Sequence, residues 1–362
     1  MISVGVVGLG KMGMSHLAMI QAHPDVRVGA VVDTTGYVLD VLEKYTGLPT
    51  FRDVDAALAK VELDALIIAT PTRLHAPMVR QALEHGLGVF CEKPLCMSAA
   101  DSAGLAGLAR QRGLVTQVGY HNRFVGAFRE VKRLLDAGAI GRVTHLAAEA
   151  YGPVVLRAKG STWRSRREEG GGALYDYAAH PLDLLTWYAG APNAVGGTVL
   201  GSVFSADTED EVYSTLYYPD GSHAQLSVNW SDESYRKMTT MITISGTAGR
   251  IHADRQEVQL YRRDTAPELP GYERGWTVKY TTELTDPVWF YLRGEEYSAQ
   301  LDHFVQRVAR GDTAGTNTFD SAALTDRALE LLTLDAAKGP STRDEAAAAP
   351  DATRRGSRRQ RA

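Results

Sequence analysis

The chain has 362 residues, 44% of them hydrophobic and 23% charged, with a formal net charge of -4 at pH 7. That length suits two domains better than one core, and the composition is that of an ordinary globular protein. The near-balanced charge offers no global attraction to nucleic acid or to an anionic membrane, and no apolar run approaches the ~18 residues of a membrane span.

Two cysteines, Cys91 and Cys96, stand close together in one apolar stretch, which suggests no disulfide framework and fits a reducing cytoplasm. The apolar Met1–Gly10 run lacks a basic n-region and reads straight into a glycine motif, so no secretory leader is expected. The sequence therefore predicts a soluble cytoplasmic protein with no membrane or nucleic-acid partner.

In chain order, the Ile2–Val7 run, the glycines after it and a periodic segment through Ile20 predict strand, turn and helix. Further strand-like runs follow at Val26–Val32, Ala65–Ala69, Gly88–Cys91 and Leu114–Val118. Helical patterns at Leu74–Glu84 and Ala99–Arg110 separate them. Short, nearly all-apolar strands alternating with helices argue for a parallel sheet covered on both faces, here over residues 1–120. After Tyr120 the pattern predicts a helix at Gly126–Asp136, a strand at Arg142–Tyr151 and a helix from the Gly170–Gly172 run to about Tyr188. Strands with period-two patterning follow from Ala194 to Tyr261. In Ser222–Trp230 the apolar Ala224, Leu226, Val228 and Trp230 alternate with His223, Gln225, Ser227 and Asn229, the mark of an antiparallel sheet with one packed and one free face. Helices near Glu295–Arg310 and Ser321–Ala337 end the folded part. The expected fold class is α/β: a Rossmann dinucleotide-binding domain (1–120) and an α+β domain with a large, mostly antiparallel open sheet (121–338). Residues 339–362 read as a disordered tail, with five arginines among the last nine residues.

Three motifs carry chemistry. Gly8-Leu9-Gly10-Lys11-Met12-Gly13 follows the first strand and opens a helix, the context a dinucleotide fingerprint requires. Gly8 permits the tight turn, Gly10 lets backbone approach the pyrophosphate, and Gly13 allows close helix–strand packing. The helix N-terminus near Lys11 then faces the phosphates. Asp33, at the end of the second strand, is placed to accept the ribose hydroxyls. Its charge repels a 2'-phosphate, and Thr34–Glu43 contains no Arg or Lys to offset it, so NAD is expected over NADP. Lys93, in Glu92-Lys93-Pro94, follows a strand at the carboxyl edge of the sheet, where ligands of open α/β folds bind. Asp176 and His180 stand four apart on a predicted helix and so share a face. A carboxylate beside an imidazole raises its pKa and orients it for general-base work. No metal-ligating set is assigned.

With these residues assembled, the chain resembles the Gfo/Idh/MocA oxidoreductases over about residues 1–338. Besides the glycine motif, the resemblance rests on Ala69-Thr70-Pro71 with His75, Cys91-Glu92-Lys93-Pro94-Leu95, Asn122-Arg123-Phe124, and Gly170-Gly171-Gly172-Ala173-Leu174-Tyr175-Asp176 with His180 and Asp183. It implies a cofactor site extending to Ala69, Thr70, Pro71, His75, Glu92 and Lys93. It also implies a catalytic set in which His180 takes the hydroxyl proton, Lys93 stabilises the alkoxide and Asp176 orients His180. Tyr120, Arg123, Trp163 and Arg164 occupy stretches that line the family's substrate pockets. Ala178 departs from a glycine common in the family. The resemblance further implies a homo-oligomer, dimer or tetramer, paired through the exposed sheet face.

The expected function is NAD-dependent oxidation of a secondary alcohol of a sugar, sugar derivative or cyclitol. The alternatives are a glycosidase that retains NAD and oxidises the sugar transiently, and a non-catalytic nucleotide or sugar sensor. Retention of Lys93, Asp176 and His180 argues against the sensor. The substrate pocket is expected to draw on Tyr120–Phe124, on the Tyr151–Glu169 loop with Arg157, Lys159, Arg164, Arg166 and Arg167, and on the insert after Arg262. That loop's charge suits either a phosphate, carboxylate or nucleotide-sugar ligand or a solvated crossing.

Overall fold

The computed structural model describes residues 1–156, 163–287, 289 and 294–339. The Arg157 and Lys159 charges and the Arg-rich tail beyond Gly339 lie outside the described residues.

Six parallel strands build the first sheet: β1 (Ile2–Val7), β2 (Val26–Val32), β3 (Thr50–Phe51), β4 (Ala65–Ile68), β5 (Gly88–Cys91) and β6 (Thr116–Val118). Their spatial order is β3-β2-β1-β4-β5-β6, all in parallel register. The direction of winding reverses between β1 and β4, so a crevice opens at the carboxyl ends of these two strands. β1, β4 and β5 are buried throughout, which explains their all-apolar runs. The two-residue β3 carries no such run, and period-based reading passes over it.

The helices of this half are α1 (Lys11–Gln21), α2 (Gly36–Thr46), α3 (Val54–Leu58), α4 (His75–Glu84) and α5 (Ala99–Arg112). Asp53 caps α3 by accepting from the Ala56 amide at 2.7 Å, and Ser98 caps α5 through the Asp101 amide, as N-cap residues do.

The second sheet has eight strands: β7 (Val143–Tyr151), β8 (Ala194–Gly201), β9 (Glu211–Tyr217), β10 (His223–Asn229), β11 (Met241–Gly246), β12 (Gly249–Ala253), β13 (Glu257–Arg262) and β14 (Gly275–Tyr280). Their order is β14-β13-β12-β11-β7-β10-β9-β8, antiparallel except for the β7–β10 pair. In β10 the apolar Ala224, Leu226 and Val228 are buried while His223 and Gln225 are exposed, so the alternation in the sequence marks the packed face as expected.

Helices α6 (Gly126–Asp136) and α7 (Ala179–Ala189), the single turn α8 (Thr281–Leu284), α9 (Glu295–Arg310) and α10 (Phe319–Ala336) complete the chain. Helix α9 returns to the first sheet. Its Leu301, Phe304 and Val305 pack with Val4, Ile20, Ile67 and Phe90, covering the sheet face that α1 also covers. The second, larger core runs without a break from Val7 and Cys91 in the parallel sheet to Val228 and Ile244 in the antiparallel one. The two sheets are thus clamped together from both ends of the sequence.

Candidate active site

A cavity of about 830 Å³ opens where the two sheets meet at the crevice between β1 and β4. One end is built by the glycine turn. Gly8 has φ +90°, and a Cβ there would stand 2.9 Å from the carbonyl oxygen of Ala69. A Cβ on Gly13 would fall 1.7 Å from the Gly8 carbonyl oxygen, so only glycine lets α1 start this close to β1. Nothing lies within 4 Å of where a Cβ on Gly10 would stand, leaving room for a ligand to approach the backbone. Gly8, Gly10, Lys11 and Met12 line the cavity, with Asp33, Ala69, Thr70 and Pro71. This is the cradle a dinucleotide pyrophosphate requires at a helix N-terminus.

The carboxylate of Asp33 is fixed by two backbone amides, Leu9 at 2.6 Å and Thr35 at 2.8 Å. Leu9 acts there through its backbone, and Gly13 acts through packing. His75 does not line the cavity. Its ring lies between the carbonyl oxygens of Pro94 (2.9 Å) and Thr70 (3.0 Å), tying the two cavity-wall loops together. Burial pushes the His75 pKa down despite both carbonyls.

A cation does reach the Asp33 end of the cavity from outside Thr34–Glu43. Arg52, delivered by β3, also lines the cavity, and its Nη2 would stand 2.6 Å from a Cβ on Gly36. Thr34–Glu43 itself carries no Arg or Lys, and the charge comes from the end of the neighbouring strand.

The other end holds the titratable groups. Glu92 accepts from the wholly buried His16 at 2.6 Å, and a Cβ on Gly119 would press within 3.0 Å of its Oε2. Burial pushes the Glu92 pKa up, but His16 and Lys93 push it further down, so it is held below the usual range. Lys93 leaves β5 and donates from Nζ to the Asp176 carbonyl oxygen (2.7 Å) and to Asp176 Oδ1 (3.1 Å). Arg164 donates from Nε to Asp176 Oδ2 at 2.7 Å while its guanidinium lies 4.7 Å from the Trp163 ring.

The expected Asp176–His180 partnership does not form. Asp176 lies in a π turn, Leu174–Ala178, that precedes α7. The wider turn of a π register removes the superposition of residues four apart. In that register the donor facing the Asp176 carbonyl would be Pro181, which has no N–H, and Lys93 fills the vacancy. Burial raises the Asp176 pKa, while the charges and hydrogen bonds of Lys93 and Arg164 lower it more, so the net shift is downward. His180 has a pKa well below its ordinary value, first through burial and then through Lys93 and Arg255. Its Nδ1 is buried without a hydrogen-bond partner.

The triple glycine positions this array. The carbonyl oxygens of Arg164 and Trp163 would each stand 2.5 Å from a Cβ on Gly171, so the loop closes over the glycines and brings Arg164 to Asp176. Glu209 accepts from the Leu174 amide at 3.0 Å and steadies the π turn.

Two expected substrate residues lie behind the wall. Arg123 forms a bidentate pair with Asp183 (2.8 and 2.7 Å), with side chains 4% and 1% exposed, and does not line the cavity. Tyr120 is buried, its ring 6.4 Å from that of His180. Among the described residues, the insert after Arg262 contributes nothing to the lining either. His121, from the expected Tyr120–Phe124 stretch, does line the cavity, and Lys237, Met238, Arg255 and Tyr297 join it. His121 lies edge-on to His180 at 4.9 Å and stacks on Tyr297 at 4.8 Å, and Arg255 donates to its Nε2 at 3.1 Å. Arg255 sits in the turn between β12 and β13, and nothing local shows that this turn faces the cavity.

A Rossmann crevice whose far wall carries a lysine, a carboxylate and a neutral imidazole defines a two-domain, NAD-binding oxidoreductase. Residues 2–120 match the family model for the NAD-binding Rossmann fold of the GFO/IDH/MocA oxidoreductases, and residues 128–252 match the GFO/IDH/MocA C-terminal domain. The chain belongs to that family. It is 30% identical, over 85% of this chain and 88% of the other, to an Amycolatopsis mediterranei protein named for UDP-kanosamine synthase (oxidoreductase subunit). It is 28% identical to the 2,7-anhydro-N-acetylneuraminate hydratase of Mediterraneibacter gnavus, over 70% of this chain and 67% of the relative. The fold superimposes on levoglucosan dehydrogenase in complex with NADH with a TM-score of 0.82 at 21% identity, covering 93% of this chain and 97% of the other. Among the described residues, no helix is long and apolar enough to cross a membrane.

Proposed function

We propose that this protein oxidises a secondary alcohol of a sugar, sugar derivative or cyclitol. The observation that carries the reading is the meeting of Lys93, Asp176 and His180 in the same cavity as the Gly8–Gly13 turn. Bound NAD supplies the hydride acceptor. A base must be unprotonated to act, and burial with two nearby cations keeps His180 neutral. His180 takes the hydroxyl proton as the carbinol hydrogen leaves as hydride. The Lys93 ammonium, held by Asp176, stabilises the developing alkoxide. Asp176 positions Lys93 and Arg164 rather than His180.

The test is NADH formation by wild type and His180→Ala across inositols, free pyranoses and glycosides. NADH from one class, lost in the variant, supports the reading. NADH formed equally well by His180→Ala removes His180 from the chemistry.

The hydratase relative favours one second reading, in which the oxidised sugar is re-reduced before release. Product would then accumulate without net NADH.

We further propose a cytoplasmic homo-oligomer, dimer or tetramer. The free, buried Cys91 and Cys96 fit a reducing compartment. A second copy would cover the outer face of the antiparallel sheet, which exposes Tyr217, Trp276, Val278 and Tyr280. Light scattering on the purified protein reads the assembly, and a monomer at micromolar concentration overturns it.

A further inference from the structure

Asp176 does not orient His180, so another group must. An imidazole that is to receive a proton needs its ring held and its own proton placed, ordinarily by a hydrogen bond on the nitrogen away from the substrate. His180 Nδ1 is buried with no hydrogen-bond partner, which leaves Nε2 to meet the cavity that the residue lines. Its orientation therefore comes from packing. Two rings supply it, both edge to face: Tyr120 at 6.4 Å and 89°, and His121 at 4.9 Å and 67°. Such pairs prefer this geometry at these separations, and His121 makes the closer contact.

His121 is itself firmly held. It opens the short turn His121–Phe124. Tyr297 stacks on its ring at 4.8 Å with 17° between the planes, and Arg255 Nη1 donates to its Nε2 at 3.1 Å. A guanidinium keeps its protons, so that nitrogen is the acceptor, and the imidazole is neutral with its proton on Nδ1. No lone pair remains with which His121 could take a substrate proton, although it lines the same cavity. Arg255 in turn meets the Glu296 carboxylate and lies 3.4 Å from Asn122 Oδ1. Glu296 and Tyr297 are neighbours in the first turn of α9. That helix packs its Leu301, Phe304 and Val305 on the parallel sheet, so the support behind His180 is fixed to the nucleotide-binding half.

Resting on His180 as the proposed base, we propose that His121 is its positioning residue: the ring, clamped by Tyr297 and Arg255, holds His180 with Nε2 toward the substrate. The contacts running from Glu296 through Arg255 to His121 take the orienting place that a carboxylate partner leaves empty. A carboxylate would also raise the proton affinity of His180, whereas a neutral ring holds it without doing so. The charges that act on His180 are those of Lys93 and Arg255, and Tyr120 and His121 face it as uncharged rings.

The experiment follows His180 by NMR in protein labelled at the histidine imidazoles, its signal assigned by its loss in His180→Ala. Steady-state kinetics with a sugar that yields NADH run beside it. His121→Ala is expected to raise the His180 titration midpoint by about half a pH unit as water reaches the ring. It should lower kcat about ten-fold, as misplacement of a reacting group does, while sugar KM stays within about two-fold. His121→Phe keeps a ring between Tyr297 and His180, and is expected to recover most of that kcat and the wild-type titration. A rise in KM with kcat unchanged makes His121 a substrate contact and overturns the proposal. A lower melting temperature with wild-type kcat and titration assigns a structural ring and overturns it too, as does a His121→Phe enzyme no better than His121→Ala. Absence of NADH from every sugar with wild type counts against the oxidoreductase reading alone. The titration still judges His121 in that case: a His180 midpoint indifferent to His121→Ala ends the positioning role.

Discussion

Lys93 Nζ donates both to the backbone carbonyl of Asp176 and to its side chain, at 2.7 and 3.1 Å. One ammonium thus joins the end of a parallel strand to a π turn 83 residues downstream, and neither residue is placed without the other. Asp176→Asn keeps the carbonyl acceptor but removes the charge opposite Lys93 and Arg164. It is expected to lower kcat about 10²-fold, within the range of positioned acid–base groups, with NADH affinity unchanged. Lys93→Met should cost a similar factor. Steady-state kinetics of the double variant then read the coupling: a loss near that of either single variant confirms a unit, and multiplication of the two losses contradicts it.

His180 carries a pH prediction. Its folded pKa lies below 6.5, through burial, then Lys93 and Arg255. The acid limb of kcat/KM governed by His180 should therefore fall below pH 6.5, and Arg255→Gln should move it upward. The sign for stability follows from linkage. Below pH 6.5 the unfolded chain takes up a proton that the folded His180 refuses, so stability present above 6.5 is lost as pH falls toward the lower folded value. An imidazole signal titrating at or above 6.5 in the folded protein contradicts the assignment.

The parts of the site that the sequence displays are those fixed by short-range geometry. Gly8, Gly10, Gly13 and Asp33 lie within one strand–turn–helix–strand unit, and spacing alone relates them to a ligand. The Asp176–His180 spacing was visible, but its meaning depended on a π turn and on Pro181, so an expected dyad proved to be two residues with different partners. Arg123 carries a charge, and no local pattern shows that Asp183 neutralises it inside the core. Arg52, Lys237 and Arg255 reach the cavity only because a two-residue strand and the second sheet bring them there. The alternating strands themselves were legible because burial on one face imposes period two.

The Asp33 end yields a cofactor-selectivity test. Asp33→Ser removes a carboxylate held by the Leu9 and Thr35 amides and leaves Arg52 beside the vacated position. NAD should lose a charge-assisted hydrogen bond worth about 1.5–3 kcal/mol, roughly a ten- to hundred-fold rise in KM, while NADP improves. Arg52→Ala added to Asp33→Ser should abolish the gain with NADP. No gain in Asp33→Ser means that Arg52 does not reach the ribose.

Arg123 and Asp183 separate stability from binding. Their pair is buried, and Thr325 donates to Asp183 Oδ1 at 3.4 Å. Removing one partner of such a pair leaves an uncompensated charge and costs about 3–5 kcal/mol. Arg123→Met should lower the unfolding free energy by that amount, and the denaturation midpoint with it, while leaving KM within about two-fold where the protein remains folded, since a group behind the wall makes no substrate contact. A large rise in KM with an unchanged midpoint would return Arg123 to the pocket.

Asp326 is a carboxyl under strain of burial. It sits on α10 behind the Lys93 loop, where its Oδ2 accepts from the Cys96 amide (3.0 Å) and Ser102 Oγ (2.6 Å), and its Oδ1 has no partner. Burial raises its pKa to about 7, against the lowering pull of those hydrogen bonds. A folded pKa above the unfolded 3.8 means that the folded state holds the proton more firmly. Its contribution is fully present below 3.8 and is lost as pH rises through about 7. Asp326→Asn keeps an oxygen for Cys96 and Ser102 and removes the charge, so it should flatten the fall in Tm between pH 4 and 8 and raise Tm at pH 8. Thermal melts across that range decide the matter: a variant less stable than wild type at pH 8 means that the ionised carboxylate is compensated in the core, and that α10 is anchored to the Lys93 loop by charge.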